Sequence, residues 1–229
     1  MKTVNEQRFR GPHLGLLTII FAILFITGLS YVISFSPAHP HFPSPWESAG
    51  TIVSYFQNQP HDVLMCSFFQ FASAIPLGLL TVTAVSRLKF LGVKAAGPYI
   101  ALFGGMMTAF NMALTALLLW VMAYPGIAQD PSVIRTLYYM GFAVGGVGYS
   151  VPLGLLMAGV AVPGGLMKLL PKWLVWSGLL LALFGEVSSL SLIFPSLVLL
   201  IPLTRFPGFI WLVLVGFKLP KLKVGNPVA

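Results

Sequence analysis

The chain has 229 residues, of which 57% are hydrophobic and only 8% charged, against about 25% charged in an ordinary soluble domain. That composition excludes a soluble globular fold and identifies a polytopic membrane protein. The net charge of +8 does not mark a nucleic-acid binder, because the bases sit at the ends of apolar stretches and not on one polar, aromatic-bearing face; the single cysteine, Cys66, excludes an intrachain disulfide and a multi-cysteine metal centre.

At ~20 apolar residues per crossing, the chain has room for about six spans. The expected fold is therefore an all-α, six-span transmembrane bundle forming one integral membrane domain. Lys2, Arg8 and Arg10 precede the first apolar run, which resembles a signal peptide. The run from about 13 to 35 is longer than a signal h-region of ~7–15 residues and lacks a small-x-small cleavage site, so it reads as a retained first span.

A proline-rich segment follows, and Ser44-Pro45-Trp46-Glu47 has the serine, proline and glutamate of a capped helix start. Trp46, Ala49, Val53 and Phe56 then recur at helical spacing, which predicts a short interfacial helix over about 45–57. Span 2 is expected at 62–86 with Asp62 as its cap, and span 3 at 96–122. Span 4, over 134–162, carries Gly141, Gly145, Gly148 and Gly154; a small-residue face of this kind lets another helix, from this chain or from a membrane-protein partner, approach closely. Pro163-Gly164-Gly165 is expected to end it. Trp173 and Trp176 sit at interfacial depth at the start of span 5 (172–193), and span 6 covers 196–217.

The stretch from Leu179 to Lys218 must be crossed twice if the bases are to fall on one side. With a cytoplasmic N-terminus, the inner segments hold Lys2, Arg8, Arg10, Arg87, Lys89, Lys94, Lys168, Lys172, Lys218, Lys221 and Lys223, leaving only Arg135 and Arg205 elsewhere. This asymmetry predicts an inner (plasma) membrane protein with both termini cytoplasmic. An internal repeat is also legible: Ser73-Ala-Ile-Pro-Leu-Gly-Leu-Leu80 echoes Ser150-Val-Pro-Leu-Gly-Leu-Leu156, and Ala101-Leu-Phe-Gly104 echoes Ala182-Leu-Phe-Gly185. A parallel duplication of a two-helix unit and chance in a Leu-, Ala- and Gly-rich chain both account for it.

Two charges, Glu186 and Arg205, fall at membrane depth, where ionisable groups are scarce and usually paired. At ~1.5 Å per residue both lie ~10–15 Å below the outer surface. Consecutive antiparallel spans are neighbours, so a Glu186–Arg205 ion pair is expected. Gln70, Asn111, Tyr138, Tyr139 and Tyr149 reach a similar level, and Ser188, Ser189 and Ser191 cluster beside Glu186. Together they outline a polar pocket in the outer half of the bundle, with Glu186, Arg205, Asn111, Gln70 and Tyr149 as candidate ligand-binding residues. The competing account is interhelical glue for the amides and serines and a structural clamp for the ion pair.

His39, His41 and His61, with Glu47 and Asp62, lie on the outer surface without the converging spacing that zinc requires, so no metal site is expected. No nucleophile elbow, P-loop, HExxH or aspartate dyad is present, and no cofactor can be named.

Pro171-Lys-Trp-Leu-Val-Trp-Ser-Gly178 opening one span and Trp211-Leu-Val-Leu-Val-Gly216 closing the last resemble a broad family of bacterial six- or seven-span membrane proteins defined as a domain of unknown function. The resemblance covers about the last sixty residues. It implies a bacterial inner-membrane location and assigns no activity or functional residue.

Three functional readings follow. The first is a transporter or sensor that binds a small anionic or lipid-like molecule in the outer pocket. The second is an accessory subunit of a larger membrane complex, docking through the glycine face of span 4. The third is an intramembrane enzyme using Glu186 as general acid or base, for which no second catalytic group is evident.

Overall fold

The computed structural model describes residues 6–33 and 40–224 and is an all-α membrane-spanning bundle. Lys2, Phe35 at the expected end of the first span, and His39 lie outside the described residues. A short strand β1 (Glu6–Arg8) pairs antiparallel with β2 (Leu222–Val224), so the two ends of the chain meet at one end of the bundle.

Between the strands run α1 (Leu14–Ser30), α2 (Ala49–Asn58), α3 (Pro60–Phe90), α4 (Gly97–Met122), α5 (Pro131–Gly145), α6 (Val147–Leu166), α7 (Lys172–Val187) and α8 (Leu200–Lys218). Two 3₁₀ turns, Ser188–Leu192 and Pro195–Leu199, join α7 to α8. Among the described residues, five helical stretches are long and apolar enough to cross a bilayer: 60–90, 97–122, 131–166, 172–192 and 195–218. The first apolar helix, α1, has 17 residues.

The long helices close into a ring, α1–α3–α4–α6–α7–α8 and back to α1, with α6 also touching α3 and α8 across the middle. Glycines set the closest crossings. A Cβ on Gly104 would lie 2.5 Å from Pro152 O and 2.6 Å from Leu156 N, and one on Gly185 would lie 2.8 Å from Ser150 O. The two repeated Ala-Leu-Phe-Gly segments thus place their glycines against α6 from α4 and from α7. Large apolar side chains such as Ile23, Phe68, Phe103 and Leu183 point outward, as expected where lipid replaces water as solvent.

Among the described residues there are two apolar cores. The larger runs through the ring and includes Phe21, Leu77, Leu153, Met157 and Trp211. The smaller lies where α2 and α5 cover one end, and includes Ile52, Phe56, Val63, Met122 and Ile134. This capped end is opposite the one where Arg87, Lys89, Lys94, Lys168, Lys172 and Lys218 cluster at the helix termini.

Several local expectations are corrected. The surface helix starts at Ala49, four residues later than the sequence suggested, because Ser48 takes the cap and accepts from Thr51 N at 3.1 Å. Ser44–Glu47 is a tight turn before it, in which the Glu47 carboxylate accepts from Ser44 N at 2.8 Å. Asp62 lies inside the first turn of α3, since Pro60 opens that helix. Pro163 does not end α6, which continues to Leu166. The missing donor of Pro163 leaves the Gly159 carbonyl free at the crossing with Gly97, whose Cβ would stand 3.0 Å from it.

The principal departure is in the fourth expected span. It is two helices, broken at Gly146 (φ −85°, ψ −95°). A non-helical backbone at this depth is tolerated only where its carbonyls find partners inside protein or a cavity, and both exposed acceptors do.

Candidate ligand cavity beneath the α2 cap

The break at Gly146 frees the Gly145 carbonyl, and Arg205 on α8 donates its Nη2 to it. Six residues beyond the break, Pro152 lacks the N–H that a helix would offer to the Gly148 carbonyl. The Asn111 side-chain amide on α4 donates to that oxygen. Thr115 donates back to Asn111 O at 2.8 Å, which fastens the same turn of α4. Asn111 is therefore a structural fastener of the broken helix.

Arg205 borders a cavity of about 590 Å³ between the two cores, within the ~300–1,000 Å³ range of small-molecule sites. Phe25 and Leu29 of α1, Cys66 and Gln70 of α3, Met112 and Leu119 of α4, Phe142 of α5 and Ile201 of α8 contribute walls. Phe42, ahead of the α2 cap, and Tyr138 line it at the capped end, where Tyr138 donates its hydroxyl to Pro43 O at 2.6 Å.

The guanidinium carbon of Arg205 stands 4.5 Å from the ring centroid of Tyr149 and 5.8 Å from that of Phe25. Stacking of this kind is typical of arginine, whose planar cation sheds water more readily than an ammonium. Two polar groups remain open: Arg205 Nε and the Tyr149 hydroxyl are buried and have no hydrogen-bond partner. Orphaned buried donors are rare and each calls for an explanation.

Glu186 is not part of this arrangement. Among the described residues the carboxylates within 4 Å of a basic side chain are Glu47, 3.1 Å from His41, and Asp62, 3.2 Å from His61, and the expected Glu186–Arg205 pair is absent. Glu186 is exposed at the edge of the α6–α7 crossing, its carboxylate 3.3 Å from where a Cβ on Gly154 of α6 would sit. Depth along a helix follows from counting residues, but azimuth does not. Gly185 turns one face of α7 onto α6, and Trp211 locks α8 to α7 by donating Nε1 to Leu174 O at 2.7 Å. These contacts turn Glu186 over Gly154 of α6 and away from the cavity, and Arg205 towards it. Ser188 and Ser189 do not serve Glu186 either, since their hydroxyls donate to the backbone at Gly185 O and Glu186 O.

Of the five candidate residues, Arg205, Tyr149 and Gln70 line the cavity, Asn111 stands behind its wall, and Glu186 lies outside it. The glycine face of span 4 is used internally: Gly145 meets Thr115 and Gly148 meets Asn111, both on α4, while Gly141 borders the cavity. Sequence reasoning missed the Gly145-Gly146 break, Phe25, Phe42 and Cys66. The Gly-Gly pair followed by Pro152 was the available signal for the first; the others read as ordinary packing residues.

On the cap, the Glu47 carboxyl is held below the usual carboxylate range, first by the Ser44 N–H and then by His41. Among the described residues no group of three or more His, Cys, Asp or Glu converges as a metal would need. No protein-family model, curated protein or solved structure matches this chain.

Proposed function

We propose that this protein is a transporter or sensor that binds a small anionic or lipid-like molecule in the cavity beneath the α2 cap. The observation that carries the reading is Arg205: a stacked guanidinium at a cavity of about 590 Å³, with no carboxylate partner and an unpaired Nε among the described residues. A buried cation without a counter-charge costs several kcal/mol. A bound anion offsets that cost.

Six crossings complete the picture. α1, at ~1.5 Å per residue, approaches the span of a bilayer core once its flanking residues are counted, and it packs between α3 and α8 in the ring. The clustered bases then face the cytoplasm, and the α2 cap and cavity face outward. The chain is one membrane domain of a bacterial inner membrane, in keeping with the resemblance of its last spans.

The complex-subunit reading loses its proposed surface, because Gly145 and Gly148 already pack on α4. The enzyme reading gains no second titratable group, as the Glu186 side chain has no hydrogen-bond partner among the described residues. Native mass spectrometry of the protein released from its own membrane tests the proposal. A co-purified small mass that is retained by the wild type and lost in Arg205→Gln is expected. Equal spectra for the two proteins, with no adduct on either, overturn it.

A further inference from the structure

We infer that the ligand is a single-charged carboxylate with a compact apolar body, its head seated on Arg205 and Tyr149 and its body enclosed by the aromatic and aliphatic walls. This rests on the reading that the cavity takes a ligand, and it adds the chemical class.

The charge count comes first. Among the described residues the cavity lining contains one base, Arg205, and no acid. A monoanion is neutralised there, whereas a dianion would bring an uncompensated charge into an apolar enclosure, and burying unpaired charge is prohibitive. A cation would meet Arg205 with no acid to offset it.

Donor geometry narrows the head group. Nη2 of Arg205 is engaged by Gly145 O, the Tyr138 hydroxyl by Pro43 O, and the Thr115 hydroxyl by Asn111 O. Of the four buried side-chain atoms without a partner among the described residues, Arg87 Nε and Ser150 Oγ belong to residues outside the lining, and Arg205 Nε and the Tyr149 hydroxyl belong to it. A planar carboxylate has two acceptor oxygens, one for the charge-assisted bond from Arg205 Nε and one for the Tyr149 hydroxyl. Gln70, of α3, adds an amide to the lining.

The body follows from the rest of the lining. Phe25, Phe42, Met112, Leu119, Phe142 and Ile201 offer hydrogen-bonding ligands nothing, which disfavours sugars, amino acids and other polyhydroxylated or zwitterionic molecules. Affinity must therefore come from apolar burial, at ~25 cal/mol per Å², while Arg205 and Tyr149 orient the head. Acetate carries the head without the body and should bind too weakly to detect.

The test uses the full chain in lipid nanodiscs at pH 8, where a phosphate monoester is a dianion. The probes are decanoate, decyl phosphate, decanol, decyltrimethylammonium and acetate. Binding is read as the shift in the protein's unfolding temperature and as adducts in native mass spectra, with probe uptake by protein-free nanodiscs subtracted. Decanoate should bind at least tenfold more tightly than any other probe, and at least tenfold more weakly to Arg205→Gln. Tyr149→Phe keeps the ring and removes only an unpaired hydroxyl, so it should fold normally and bind decanoate several-fold more weakly.

If decyl phosphate or decanol binds best and still depends on Arg205, the carboxylate assignment is overturned while the cavity remains a ligand site. If decanoate binds equally to the wild type, Arg205→Gln and Tyr149→Phe, the seating of the head is wrong. If no probe binds and no native adduct is found, the cavity reading itself fails.

Discussion

Asn111 donates its side-chain amide to the Gly148 carbonyl, the acceptor that Pro152 leaves without its helical donor. The two residues form a matched pair: a backbone defect in α6 and a side chain on α4 that repairs it. Replacing Asn111 by leucine should cost about 1–3 kcal/mol, the penalty of orphaning a buried acceptor. In Pro152→Ala the backbone N–H can serve Gly148 O, so Asn111→Leu should cost less in that background. Unfolding midpoints of the four proteins in one detergent give the coupling; strictly additive effects would refute the repair.

Helix crossing should be intolerant at Gly159. A Cβ there would collide with Ala101 N and stand 2.6 Å from Gly97 O, both backbone atoms that cannot swing aside. Gly78 is a control on a neighbouring helix, since its Cβ would meet nothing closer than Ala109 at 4.0 Å. Gly159→Ala should lower stability by more than about 2 kcal/mol, while Gly78→Ala should be neutral or stabilising by a few tenths. Thermal unfolding monitored by tryptophan fluorescence separates the two.

The α2 cap should loosen in acid. Glu47 is held below the ordinary carboxylate range by Ser44 N–H and His41, so its contribution is present above the unfolded pKa and is lost as pH falls through the depressed folded value. Hydrogen exchange of the 44–58 amides should quicken, after correction for intrinsic rates, between neutral pH and the low end of the carboxylate range. Glu47→Gln should show the faster exchange already at neutral pH and lose most of the pH dependence.

Cys66 offers a way to fill the cavity without touching its charge. The side chain is 3% exposed, carries no disulfide and borders the open space. Cys66→Leu should direct its added carbons into that space and change stability by under about 1 kcal/mol. It should nevertheless abolish the ligand adduct. Retention of the adduct at full occupancy would place the ligand elsewhere.

Orientation is open to cysteine labelling in a Cys66→Ser background. Thr51→Cys, on the exposed face of α2, should react with a membrane-impermeant maleimide in intact cells. Lys168→Cys, at the opposite end of the bundle, should react only after permeabilisation. The reverse pattern would invert the proposed topology, and labelling of both from one side would refute the proposed count of six crossings.

Hydropathy and base placement made the membrane class, the helical bundle and its basic end legible from residues alone. These properties are carried residue by residue and survive any choice of packing: a charged side chain at membrane depth is costly wherever its helix turns. Arg205, Tyr149 and Gln70 were recognisable for that reason, since polar groups stand out against an apolar background at a countable depth.

Tertiary structure decided what counting cannot reach. Whether Glu186 meets Arg205 depends on helix rotation, which the Gly154–Gly185 crossing and the Trp211–Leu174 hydrogen bond set through contacts between distant segments. The Gly145 carbonyl freed by the break at Gly146 and the Gly148 carbonyl left free by Pro152 are likewise satisfied by Arg205 and Asn111, 60 and 37 residues away from their acceptors. By itself the sequence determined which groups lie at which level; the azimuth of each, and hence the arginine left facing a cavity without an acid, came from packing, because a helix shows its depth in its length but its rotation only in its neighbours.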